Sequence, residues 1–133
     1  MSLELKIHHP DREMEEFLHK LNYPFNNLWT LPFLQRHAFC LRAVRQRKIV
    51  GYTWFSTVPD CYRMLQLHFA FAPAVQRRWF SRGVKDQLHS IATFLDADTV
   101  IIVYHNADQM AGLVKHGFKV MPPFALYDMR SNE

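Results

Sequence analysis

Gln76, Arg77, Arg78 and Arg82 stand in a short segment between two apolar stretches, the first ending at Ala72 and the second beginning at Phe80. A basic loop that runs into a helix N-terminus suits an anion, because unpaired backbone N–H groups and the helix dipole both point there. Arginine forks match phosphate oxygens, so a diphosphate or a sugar phosphate fits this chemistry. A solvated basic loop is the plain alternative. His68, in the preceding strand, is the best general-base candidate, since an imidazole titrates near neutral pH; a packed histidine without a chemical role is its alternative. His105 and Tyr104 are second candidates for the same work. Asn106 is fully explained as a helix N-cap.

These residues are placed by one unit of structure. The pattern predicts a strand over 65–72, a loop over 73–79, a helix over 80–95, a strand over 99–104 and a helix over 106–116 closed by Gly117. Strand, crossover helix and second strand in this order make a right-handed β-α-β unit with parallel strands. Leu65, Leu67, Phe69 and Phe71 fall on one face of the first strand, and Gln66, His68 and Ala70 on the other. Phe80, Val84, Leu88, Ile91 and Leu95 recur at helical spacing, the stripe of a helix laid on a sheet. Val100 to Val103 is a continuous β-branched run, the pattern of a strand buried on both faces. Asn106 and Gln109 form a capping-box-like pair, and Gly117 is a C-cap.

The remainder supplies a frame. Residues 3–9 alternate, with Leu3, Leu5 and Ile7 on the side expected to be buried. Asp11 caps a helix whose stripe is Met14, Phe17, Leu18 and Leu21, with Glu13, Glu15 and Glu16 at its positive end. Residues 22–37 read as a loop holding one short helix, packed by aromatics. Residues 38–45 and 49–58 form an antiparallel pair around Gln46, Arg47 and Lys48. Arg42, Arg45, Arg47 and Lys48 read as a solvated basic hairpin. Two strands, 118–121 and 124–129, close the chain around Pro122 and Pro123.

Length and composition bound the classes. A chain of 133 residues with 49% hydrophobic content is expected to be a single domain over 1–133 with a substantial core. Net charge +4 allows an anionic ligand and argues only weakly for nucleic acid. No apolar run approaches the roughly 20 residues of a membrane span. Cys40 and Cys61 have no metal or redox spacing, and a reducing, cytoplasmic setting is expected. The eight histidines show no helical ligand pair, so no metal is expected. Ser81 and Ser90 have no nucleophile-elbow context.

The element order resembles that of the GNAT superfamily of N-acetyltransferases over essentially the whole chain. Phe71-Ala72-Pro73 has the form in which that family's fourth strand ends. Gln76 to Ser81 matches the family's Q/R-x-x-G-x-G/A loop in position and helical phase, with Trp79 and Ser81 in place of both glycines. Asn106, Lys115, Gly117 and Phe118 match the spacing that follows the family's fifth strand, and Leu113 stands where a tyrosine is common. The fourth strand has no glutamate. The small acetyltransferase-like proteins of tailed phages look similar.

The resemblance implies an α/β fold, a mixed, mostly antiparallel sheet with a central parallel strand pair splayed to form a cofactor cleft. It implies acetyl-CoA as acyl donor. Backbone groups of Phe69 and Phe71 would pair with pantetheine, and the loop of Gln76, Arg77, Arg78, Trp79, Phe80 and Ser81 would hold the diphosphate. Asn106 would bond the pantetheine arm. An amine of a small molecule or protein would attack the thioester directly, with rate coming largely from positioning. His68 would serve as base, and Tyr104 as the acid that Leu113 cannot be. The second expectation is a catalytically degenerate interaction protein on the same scaffold, with Trp79 and Phe80 filling or covering the phosphate site and exposed aromatics at Trp29, Phe33 or Trp79 marking a partner surface. A nucleic-acid binder is a third reading, resting on charge alone.

Overall fold

The structure is a computed structural model, and it describes residues 3–21, 29–58, 60–61, 63–75, 79–103, 107–121 and 124–129. The elements are β1 (Glu4–His8), α1 (Arg12–Lys20), α2 (Leu31–His37), β2 (Ala38–Arg45), β3 (Lys48–Thr57), β4 (Met64–Phe71), α3 (Arg82–Phe94), β5 (Thr99–Val103), α4 (Ala107–Lys115), β6 (Lys119–Met121) and β7 (Phe124–Asp128). Seven strands lie in the order β1-β2-β3-β4-β5-β7-β6. The β1/β2, β2/β3, β5/β7 and β6/β7 pairs are antiparallel, and β4/β5 is parallel. The α/β class and the mixed sheet agree with the sequence reading. The contacts divide the chain into two compact units, residues 1–56 with 69–79, and residues 57–68 with 80–133.

In the first unit, Asp11 caps α1 by accepting from the Met14 N–H at 2.9 Å. Met14 and Leu18, at helical spacing, go fully into the core, where they join Leu34, Cys40, Tyr52, Trp54 and Ala70. Burial pushes the Cys40 thiol up to about 12, so this cysteine behaves as a small apolar side chain. The short helix within 22–37 is α2, capped by Thr30 through the Phe33 N–H. The Glu15 carboxylate, in the first turn of α1, accepts from the Leu31 N–H at 2.6 Å and so holds the start of α2.

Three expectations for this unit are corrected. The hairpin turn is Gln46-Arg47, two residues at φ 51° and 65°, and Lys48 already pairs with Arg45. Both positive values are those of a primed two-residue turn, which matches the twist of the flanking strands. Ile7 is 71% exposed, while His8 turns inward against Tyr52. Arg42 leaves the solvated hairpin group: its guanidinium reaches the Glu13 carboxylate at 2.6 Å and Asp11 at 3.5 Å. Asp11 is held low despite burial, which opposes it, because the Met14 N–H, His8 and Arg42 all favour its carboxylate.

In the second unit the strand ends near Arg63 are tied together. The Asp98 N–H donates to the Arg63 carbonyl at 2.9 Å, and the Met129 N–H to the Asp98 carbonyl at 2.9 Å. Val84, Leu88 and Ala92 form the buried stripe of α3, and Val100 and Ile102 are buried from β5. Gly117 ends α4 at φ +92°. The Phe118 N–H reaches back to the Leu113 carbonyl and the Gly117 N–H to that of Val114, the Schellman pair of bonds. No helix of the described residues is long and apolar enough to cross a membrane.

Candidate functional site

The β4–β5 ladder pairs Met64 with Thr99, Leu65 with Val100 and Gln66 with Ile101. Among the described residues it stops there, although β4 runs on to Phe71 and β5 to Val103. Pairing between β5 and β7 continues through Val103.

At the far end of β4 the side chains form an aromatic stack. The Trp79 indole lies on Phe71 at 4.6 Å and 18° between planes, and 4.8 Å from Phe69. Trp79 is only 5% exposed. It therefore marks no partner surface, and of the aromatics expected to do so Phe33 is exposed and Trp29 only partly. On β3, a Cβ at Gly51 would overlap the Phe71 ring and sit 2.7 Å from the Ala70 carbonyl oxygen. Sequence reasoning passed over Gly51. An isolated glycine inside a strand signals close backbone approach, and here it admits Phe71.

The helix begins two residues later than expected. Ser81 is its N-cap, extended at φ −103°, and its hydroxyl accepts from the Val84 N–H at 3.2 Å. Phe80 stands outside the helix, edge-on to His116 at 5.1 Å and Phe118 at 5.8 Å. The first turn of α3 has no acidic residue and carries Arg82. Ser81 satisfies one first-turn donor, and the Arg82 and Gly83 N–H groups have no bonding partner among the described residues. This end of α3 has the polarity an anion needs. Gly83 meets no steric demand: a Cβ there would be 3.9 Å from the Ser81 hydroxyl.

His68 lies on β4, partly buried, and burial lowers its pKa to about 4. It is neutral at pH 7 and able to accept a proton, but its low basicity is poorly matched to a task at neutral pH. Leu113 is buried and held by the α4 cap, so an aliphatic core residue fills the position where a tyrosine is common in the family it resembles. Gln76, Arg77, Arg78, Tyr104, His105 and Asn106 lie outside the described residues. Of the expected site residues, Phe69, Phe71 and Trp79 are brought together. Phe80 and Ser81 flank the start of α3 but do different work, one in an aromatic cluster and one as a cap. No group of three metal-ligating side chains occurs among the described residues.

No protein-family model and no curated protein matches this sequence. Solved structures do. A protein assigned to the GNAT family, from Desulfovibrio desulfuricans, superposes with a TM-score of 0.74 at 9% identity, over 96% of this chain and 99% of its own. Spermidine N-acetyltransferase of Vibrio cholerae gives 0.74 at 13% identity, over 98% and 96%. The yncA protein of Salmonella typhimurium, solved with acetyl-CoA as its cofactor, gives 0.68 at 13% identity, over 97% and 95%. Across nearly its whole length, this chain has the fold of the GNAT acetyltransferases.

Proposed function

We propose that this chain transfers the acetyl group of acetyl-CoA to an amine, of a small molecule or of a protein. The observation that carries the reading is the β4–β5 ladder ending at Gln66 and Ile101 while both strands continue. Backbone N–H and C=O groups of β4 at Phe69 and Phe71 would pair with the amide-bearing pantetheine arm. The start of α3 fits the diphosphate by N–H groups with no partner among the described residues, a first turn without carboxylates and Arg82. Gln76, Arg77 and Arg78 join it on the sequence alone, as does Asn106 for the pantetheine. The thioester is the acyl donor. The chain's own part is to hold it, exclude water and place the amine for attack, with neutral His68 or Tyr104 as proton carrier.

A second reading is an interaction protein that keeps the fold without the reaction. The burial of Trp79 on Phe69 and Phe71, the apolar Leu113 and the low pKa of His68 favour it. Incubation with acetyl-CoA and a panel of amines, beginning with spermidine because a protein of the same fold acetylates it, separates the two. Acyl transfer releases free CoA thiol and a product heavier by one acetyl group. Thiol release no faster than without protein, across polyamines, amino acids and peptide N-termini, would leave the interaction reading.

A further inference from the structure

We propose that β1 pairs antiparallel with the β1 of a second copy of this chain, about a twofold axis at Leu5. β1 stands at the end of the sheet order and pairs with β2 alone among the described strands. Its outward N–H and C=O groups have no bonding partner among the described residues. Such a row is a template for another strand. The other edge strand, β6, is only three residues long and opens on Lys119, so it is blunted by its shortness and its charge. β1 is longer, and it bares a β-branched side chain. Ile7 is 71% exposed, whereas Leu41, its register partner on β2, is buried. A strand added outside β1 would give Ile7 an apolar neighbour.

The charges on the strand say which partner fits. Glu4, Lys6 and His8 share one face of β1, and Leu3, Leu5 and Ile7 the other. Glu4 and Lys6 are both mostly exposed, with the ammonium 3.7 Å from the carboxylate. A twofold axis perpendicular to the sheet keeps each face on its own side, so charged positions meet charged ones and apolar positions meet apolar ones. Centred on Leu5, Glu4 stands opposite the partner's Lys6, Lys6 opposite the partner's Glu4, and Ile7 opposite the partner's Leu3. Centring on Glu4 or on Lys6 would set like charges directly opposite each other, which is destabilising. Centring on Ile7 would set Lys6 against the partner's His8 and Glu4 against the partner's Pro10. A lone lysine on an edge strand repels a second copy. With a glutamate two residues away, the same lysine finds its counter-charge on that copy. The pattern is self-complementary, as an isologous twofold contact requires.

One strand on one strand is a small interface, so the association is expected to depend on concentration rather than to be permanent. Sedimentation equilibrium of the intact chain at low salt, over about 10 µM to 1 mM, is expected to show monomer giving way to dimer. Added salt should weaken the dimer, because the pairs are exposed. Glu4→Lys and Lys6→Glu are each expected to weaken it about tenfold, since the twofold turns one substitution into two like-charged pairs. Both positions are exposed, so both variants should fold. Glu4→Lys combined with Lys6→Glu restores opposite charges at both pairs and should return the dimer to near its original strength. That rescue separates the Leu5 register from every other contact. Monomer throughout the range would overturn the proposal. So would a dimer indifferent to both single variants, or one that the double variant does not restore. None of these outcomes depends on acyl transfer.

Discussion

The end of β4 and the flank of α3 follow each other in the chain and are built on opposite principles. At the first, Phe69, Phe71 and Trp79 stack into a closed apolar cluster over Gly51. At the second, Arg82, Lys85 and Lys115 face an open groove, with Asp86 the one carboxylate among its described lining residues. The resemblance places Trp79 where a glycine would let backbone approach phosphate. A tryptophan there gives up that approach and gains ring burial, since large aromatics dominate core energetics. Positive charge on helical side chains, by contrast, needs no glycine. The loop side has invested in packing and the helix side in field.

Four variants sharpen or break that contrast. Trp79→Ala should cost the most, about 4 kcal/mol in denaturant unfolding, because it empties a stacked and buried ring site. A cost below about 1 kcal/mol would mean the stack is not structural. The acid limb of stability comes next. Burial lowers His68 from an ordinary 6.5 to about 4 in the folded chain, so the unfolded chain binds its proton more readily. Stability should therefore be complete above pH 6.5 and fall as pH drops toward 4, by roughly 3 kcal/mol from this group. His68→Gln should flatten that limb when unfolding midpoints are compared across the range, and an unchanged slope would move the cause elsewhere. Gly51→Ala should cost about 2 kcal/mol, since Phe71 and the Ala70 carbonyl must both shift. Ser81→Ala should cost about 1 kcal/mol by removing the cap of α3. A cost well below that would mean the first turn of α3 is held by other contacts.

The sequence carried the local signals well and the long-range ones poorly. Asp11 before an amphipathic stripe, the β-branched run of β5 and Gly117 after α4 each name their own role, because the physics that fixes them lies within a few residues. The parallel β4/β5 pair followed from the β-α-β pattern. Ile7 and His8 were misjudged because burial follows the alternation only as far as Leu5 and departs from it at the end of β1, where His8 is turned in by Tyr52 and Arg42, both distant in sequence. The Gln46-Arg47 turn was blurred because neither residue advertises positive φ. Trp79 was read from its place in a loop, and its burial on Phe71 depends on a glycine 28 residues earlier, where nothing local points to it. The groove cations were legible as types, but their convergence from two helices was not.

The central claim is that the chain binds acetyl-CoA, and calorimetric titration with acetyl-CoA and with CoA tests it most directly. Binding in the micromolar range that is lost in Arg78→Glu is the result the account predicts. No heat and no shift of the unfolding midpoint at millimolar cofactor would contradict it.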